Sequence, residues 1–453
     1  MNASLPLNPS ADAADGLPLP QRLLAVTAII SAIMLVVLDG AIANVALPAI
    51  ATALQATPAA SVWVVTAYQL AAVMFLLPAS AMGERFGYRR MFAAGVALFT
   101  AGSAACALAP SLAWLVAARF AQGLGGAAVM PLGLALLRHI YPQRLLGRAI
   151  GWNALAVAAA SAAGPAAGAA LLSVAHWPWL FAVNLPFGLL ALAACAGLPA
   201  GGGTARRIDG LSVALNAGMF AALVLGADRL PAQPLEGAAL LAAAAACAVL
   251  LVRREAPRAT PMVPLDLLRL RPFRLSIMAS VCCFAGHMAG SIALPFYLQH
   301  QLGLGALTTG LLMALWPLAV MGAAPLSGRL AERVPTGWLC AAGALTLSAA
   351  LALLAAGPQR LPPLAACMAL AGLGFGFFQT PNNRNMLLAA PKARSGAAGG
   401  AQGSARLAGQ TFGSLLMGLL FSLLPAAQAL PIGLAAAAVL ALSAALLSLA
   451  RGA

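Results

Sequence analysis

From residue 23 to residue 450 the chain is a succession of apolar runs, each of roughly 18 to 25 residues, parted by short polar connections. A helix of that length crosses a hydrocarbon core of about 30 Å, and within lipid only helices or closed barrels satisfy all their backbone hydrogen bonds. The expected fold class is therefore an all-α polytopic membrane protein. Composition agrees: 62% of the residues are hydrophobic and 8% charged, where a soluble domain carries about a quarter charged. A soluble enzyme, a secreted disulfide scaffold and a disordered chain are excluded. The seven cysteines all lie inside apolar runs without a CxxC spacing, so they read as inert packed thiols, not as bridges or metal ligands. Residues 1–22 form a polar tail without a basic region and small-residue cleavage site, so the first helix is expected to stay in the mature protein.

Hydropathy divides the chain into fourteen spans, at 23–52, 60–82, 91–109, 112–137, 149–174, 178–198, 210–228, 235–252, 275–299, 306–327, 338–357, 361–381, 404–425 and 430–450. The connections after even-numbered spans carry most of the basic residues, among them Arg85, Arg89, Arg90, Arg144, Arg148, Arg206, Arg207, Arg258, Arg333, Lys392 and Arg406. Those after odd-numbered spans hold only Arg229 and Arg360. By the positive-inside rule both termini and every even connection are cytoplasmic. The net charge of +15 is thus explained by topology, and no nucleic-acid partner is expected. The outer connections are too short to form a receptor or catalytic domain.

An internal repeat organises the spans. Ser80-Ala81-Met82-Gly83-Glu84-Arg85-Phe86-Gly87 leaves the second span, and Gly328-Arg329-Leu330-Ala331-Glu332-Arg333-Val334-Pro335 leaves the tenth. Two equivalent six-helix bundles follow, at 23–198 and 275–450, with two inserted helices and a central cytoplasmic loop at 199–274. Repeat halves around a midplane site are the architecture of secondary transporters.

Three ionisable groups are expected well inside a span: Asp39, Arg119 and His287. A charge in the bilayer core costs at least about 2.5 kcal/mol, which makes each a candidate for function. At 1.5 Å per residue Asp39 and Arg119 both come to roughly 10 Å below the outer surface, where pairing would lower the cost of burying them. One reading is a static structural salt bridge. The other is an acid that takes and releases a proton while the arginine tunes it.

These residues carry a resemblance. Leu38-Asp39-Gly40-Ala41-Ile42-Ala43-Asn44-Val45-Ala46-Leu47-Pro48 resembles the first-helix signature of the fourteen-helix drug:proton antiporters of the major facilitator superfamily. Ser80 to Arg90 is similar to that family's inner-loop motif, with Ser80 for its first Gly and Glu84 for its Asp, and Arg119-Phe120-Ala121-Gln122-Gly123-Leu124-Gly125 to its fourth-helix motif. Gly151, Gly164, Pro165 and Gly168 match its antiporter motif, with Ala at two Gly positions. Trp177 to Pro186 and Gln379 to Asn383 look like its sixth-helix start and twelfth-helix end. The resemblance implies a major facilitator fold and proton-coupled export, with Asp39, Arg119 and His287 as candidates for proton coupling.

Each motif also has its own physics. Ser80, Glu84, Arg85, Gly87, Arg89 and Arg90, with Gly328, Glu332 and Arg333 in the second half, could latch helix ends at an inner gate or simply set orientation. Gly151, Gly164 and Gly168 at helical spacing permit close helix contact, and Pro165 removes one backbone bond. Asn44, Trp63, Tyr68, Gln69, Gln122, Trp316, Phe375 and Gln379 are the expected lining of a substrate cavity, its aromatics suited to lipophilic compounds. There is no phosphate-binding loop, nucleophile elbow or HExxH, so no enzyme and no cofactor is expected. The expected partners are a small-molecule substrate, protons and the lipid bilayer; a periplasmic adaptor protein is not readable from the sequence. The function expected is export of lipophilic or cationic compounds in exchange for protons across the bacterial inner membrane. Proton-coupled uptake of a small metabolite and a non-transporting sensor or assembly subunit are the alternatives. No Asp or Glu lies within spans 9 to 14, which weakens the case for dications.

Overall fold

A computed structural model of the protein describes residues 16–199, 208–258, 261, 263–391 and 394–451. The tail positions 1–15, together with Arg206, Arg207 and Lys392, lie outside them. Among the described residues every regular element is helical. In chain order the long helices are α1 (Leu19–Ala53), α2 (Pro58–Phe86), α3 (Tyr88–Ala107), α4 (Leu112–Ile140), α5 (Gln143–Val174) and α6 (Trp179–Gly197), then α7 (Gly210–Arg229) and α8 (Pro234–Glu255). They continue with α9 (Arg271–Gln301), α10 (Ala306–Leu330), α11 (Thr336–Ala355), α12 (Leu361–Ala389), α13 (Ser395–Leu423) and α14 (Ala426–Leu449). An even number of crossings puts both chain ends at one end of the bundle, the termini end; the other is the far end.

Helices α1 to α6 pack mainly on one another, as do α9 to α14, while α7 and α8 pair as a hairpin whose contact with the rest runs through α2 and α13. Leu211, Leu223, Leu235 and Val249 of the hairpin stay exposed, as a lipid-facing position requires. Its base is held by Asp209, which accepts from Arg254 Nε at 2.7 Å, from Ser212 Oγ at 2.7 Å and from Arg258. The hydrogen bonds from Arg254 are the largest of the influences that hold the Asp209 carboxyl well below the usual range.

Two elements differ from the sequence reading. The stretch Ser80 to Arg90 is not a loop: α2 runs to Phe86 and α3 starts at Tyr88, with Gly87 alone between them at φ +94°. Only glycine takes that conformation without strain. The thirteenth span starts at Ser395 rather than 404, so Arg406 lies inside α13 instead of in a connection. Arg406 and Gln410 keep this helix below the apolarity at which thirteen other spans qualify. Its polar stretch is tolerated because α13 packs against α2 and α9 rather than facing lipid alone.

The interior shows how the halves meet. One continuous apolar cluster joins Ile42, Val45 and Val62 of the first half to Phe284, Met288 and Ile292 of the second. Nearer the termini most of the core divides, one part around Ile29, Phe92 and Leu132 and another around Phe273 and Met386, while a small cluster of Ala72, Val73, Leu76 and Ala127 with Leu407 still joins α2 and α13 across the seam. The two bundles are therefore closed against each other at the far end.

Candidate functional site

Asp39 and Arg119 meet in the first bundle, each 1% exposed, with Arg119 Nη1 2.5 Å from Asp39 Oδ2. The other carboxylate oxygen accepts from Gln122 Nε2 at 3.0 Å and Asn184 Nδ2 at 2.8 Å. Arg119 also donates to Gln122 Oε1 at 2.5 Å and to the Val64 carbonyl at 3.0 Å, and Gln122 donates to Ser103 Oγ at 2.8 Å. The guanidinium lies 4.4 Å from the Tyr68 ring centroid and 5.5 Å from that of Phe181. A buried pair is tolerable only when its remaining hydrogen-bonding groups are satisfied, and α1 to α4 and α6 all contribute to doing so. Three donors hold the carboxylate, two on Oδ1 and one on Oδ2, so Oδ2 keeps an acceptor site that a proton can take.

The helical spacing in Arg119-x-x-Gln122 puts both side chains on one face of α4. What lets that face reach Asp39 is the lack of a side chain one turn on. A Cβ on Gly126 would lie 2.4 Å from the Tyr68 hydroxyl. The antiporter motif serves the same pair from the opposite side. A Cβ on Gly164 would lie 2.4 Å from Ala41 Cβ, and one on Gly168 would lie 3.3 Å from Ile42 Cγ2, so α5 seats directly on the segment of α1 that carries Asp39. Pro165 faces the second half, where its carbonyl oxygen would lie 2.5 Å from a Cβ on Gly310 of α10. Gly151 lies farther toward the termini on α5.

His287 stands apart from the ion pair. Its ring stacks on Phe375 at 4.3 Å and meets Trp316 edge-on at 5.0 Å, while Phe284 packs edge-on against Phe375 at 5.1 Å. The His287 Nδ1 and Trp316 Nε1 atoms are buried without a hydrogen-bond partner. These three expected site residues form one aromatic box in the second half. Gln69 reaches it across the seam between the halves, donating to Met288 Sδ at 3.3 Å and accepting from Ser414 Oγ at 3.2 Å.

The remaining expected residues distribute unevenly. Gln122 is buried in the ion-pair network, and Tyr68, half-buried, adjoins it through its ring face. Trp63 does not face the cavity: its Nε1 donates to Asp228 Oδ1 of α7 at 3.0 Å, because the inserted hairpin covers that face of α2. Asn44 keeps a buried Oδ1 without a donor, and Gln379 is half-buried on α12. Of the gate residues, Ser80 donates back to the Leu76 carbonyl at 3.3 Å, Arg85 lies over the Phe86 ring, Glu84 and Arg89 are half-buried and Arg90 is exposed. Gly328 has open space beside it, and Glu332 and Arg333 are exposed at the turn after α10.

Sequence reading passed over Ser103 and Arg406. Ser103 carries no signal beyond being a polar residue in an apolar helix. Arg406 carried one, a charge flanked by helix-forming residues, but low hydropathy assigned it to a connection. It is a fourth ionisable group deep in a membrane helix, beside the three anticipated.

The family model of the Major Facilitator Superfamily matches residues 29–414. The "Uncharacterized transporter YebQ" of Escherichia coli (strain K12) is 47% identical over 421 residues, covering 90% of this chain and 91% of that protein. The "Multidrug resistance protein Stp" of Mycobacterium tuberculosis (strain CDC 1551 / Oshkosh) is 33% identical, covering 85% and 73%. The "Tetracenomycin C resistance and export protein" of Streptomyces glaucescens is also 33% identical, covering 86% and 74%. Among solved structures, a POT family transporter in complex with a thioalcohol conjugated peptide superposes with a TM-score of 0.73 at 14% identity, covering 95% and 96% of the two chains.

Proposed function

The chain belongs to the Major Facilitator Superfamily and is a membrane transporter rather than an enzyme, and on that premise we propose that it exports lipophilic compounds in exchange for protons. The observation that carries the reading is the Asp39–Arg119 pair, a titratable acid held by three donors inside the membrane part of the first bundle. Protonating Asp39 removes the charge that Arg119 answers, so the network must rearrange, and α5 seats on the same turn of α1. A proton step at Asp39 can thereby act on the α5–α10 contact that closes the far end. The moving bodies are the bundles 23–198 and 275–450, with 199–274 riding beside them. The resistance and export proteins at 33% identity support the direction.

Orientation follows from charge. The basic residues at the termini end make it the cytoplasmic one in a bacterial inner membrane, so the closed far end is the periplasmic side. At about 150 mV one inward positive charge yields about 3.5 kcal/mol, enough for roughly a 300-fold gradient of a neutral solute.

The test uses inverted membrane vesicles and a panel of neutral, cationic and anionic aromatic dyes under an imposed pH gradient. Asp39→Asn, with insertion verified, is expected to lose pH-driven transport while still exchanging dye for dye, since the amide cannot titrate. Undiminished pH-driven transport by this variant would show that the proton is carried elsewhere.

A further inference from the structure

The charges inside the membrane part do not balance. Among the described residues Asp39 is the one buried acid away from a helix end, and Arg119 already pairs with it. Arg406 sits in the second half, where 275–450 contain a single acidic residue, Glu332, exposed at the turn after α10. From Ser395 it lies eleven residues along α13, about 16 Å at 1.5 Å per residue. Its Nε is buried without a hydrogen-bond partner, and no acid faces it. An unpaired guanidinium at such depth is costly and points to function.

The surroundings say what kind. The next residue, Leu407, packs against Ala72, Val73 and Leu76 of α2, and the Tyr68 side chain of α2 lies near Arg406. Arg406 therefore lies on the seam between the halves. The aromatic box lies farther along the same seam. Gly409 abuts Val281 and Phe284 of α9, and Gly413 abuts Ala285 and Met288. In that register His287 is level with about residue 413, roughly 10 Å beyond Arg406 along the bundle axis. An apolar site with a few convergent polar groups is the ordinary form of a small-molecule site, and a guanidinium fork matches carboxylate, sulfonate and phosphate oxygens.

We propose that the seam binds aromatic organic anions, the acidic group pairing with Arg406 and the ring system stacking on His287, Trp316 and Phe375. This rests on the export reading and narrows its substrate class: a cationic compound in the same place meets an unanswered positive charge and no acid to receive it.

Two xanthene dyes of similar shape and opposite charge test it, fluorescein as the anion and rhodamine 6G as the cation. Binding to the purified full-length protein is followed by fluorescence anisotropy. Arg406→Gln should weaken fluorescein binding about tenfold or more, the size expected for losing a charge-assisted pair, and should strengthen rhodamine 6G. Arg406→Lys, which keeps the charge, should retain most of the fluorescein affinity and confirms that the site is intact. Unchanged fluorescein affinity in Arg406→Gln, or equal losses for both dyes, would overturn the proposal. The vesicle assay separates the two readings. Fluorescein bound through Arg406 but never moved by a pH gradient sinks export and leaves the anion site. Rhodamine 6G export indifferent to Arg406, with fluorescein ignored, sinks the site and leaves export.

Discussion

Gly310→Ala offers the sharpest test of how the far end is closed. A Cβ there would lie 2.1 Å from Ala169 Cβ and 2.5 Å from the Pro165 carbonyl oxygen, whereas carbon atoms in contact prefer about 3.5–4.0 Å. Neither neighbour is the tip of a flexible side chain, so α5 and α10 must separate to admit the methyl. Overpacking of this kind costs about 1–3 kcal/mol. In a conformation whose far end is open the two helices part and the methyl meets nothing. The whole cost then acts on the balance between the two states, a shift of about 5- to 150-fold against the conformation described. Spin labels at Ser173 on α5 and Leu307 on α10, both exposed beside the contact, report it in a background lacking the native cysteines. Pulsed dipolar spectroscopy should show the short distance losing population to a longer one. Ala169→Gly in combination should restore part of it, since it removes the nearer of the two obstacles. A distance distribution identical to that of the parent would refute the claim that this contact holds the far end shut.

Thermal unfolding in detergent should show Asp39→Asn destabilised by about 3 kcal/mol through the uncompensated Arg119, with Asp39→Asn/Arg119→Gln recovering much of the loss; equal melting of the single and double variants would mean the pair is not coupled. Because the Asp209 carboxyl is held below its usual value chiefly by Arg254, its contribution to anchoring the α7–α8 hairpin is present above the unfolded value of about 3.9 and is lost as pH falls through the folded one. Limited proteolysis of the hairpin should thus separate wild type from Asp209→Asn at neutral pH, and the difference should vanish in strong acid. Glu84→Gln, near the α2–α3 corner, is expected to raise cysteine accessibility at the termini end with little change in dye affinity; collapsed affinity at parental accessibility would place Glu84 in the binding site instead.

The span count, fold class and Asp39–Arg119 candidate pair were legible in the sequence because the bilayer imposes a one-dimensional rule: apolar length sets each crossing, and a charge inside one stands out. Family motifs added the order of the helices. The same rule misled where helices avoid lipid. It began the thirteenth span nine residues late and put Arg406 in a connection, because a helix packed against others need not be apolar throughout. Three-dimensional packing alone decided the partners. Gln122 and Asn184 converge on Asp39 from two helices while Ser103 holds Gln122 from a third, Trp63 turns to Asp228 because an inserted hairpin covers it, and His287 finds Phe375 and Trp316 rather than the acid. Hydropathy measures each residue against lipid, whereas these contacts depend on which faces of separate helices meet, a property set by close packing at glycines such as Gly126, Gly164 and Gly310 and by nothing local to the residues they join.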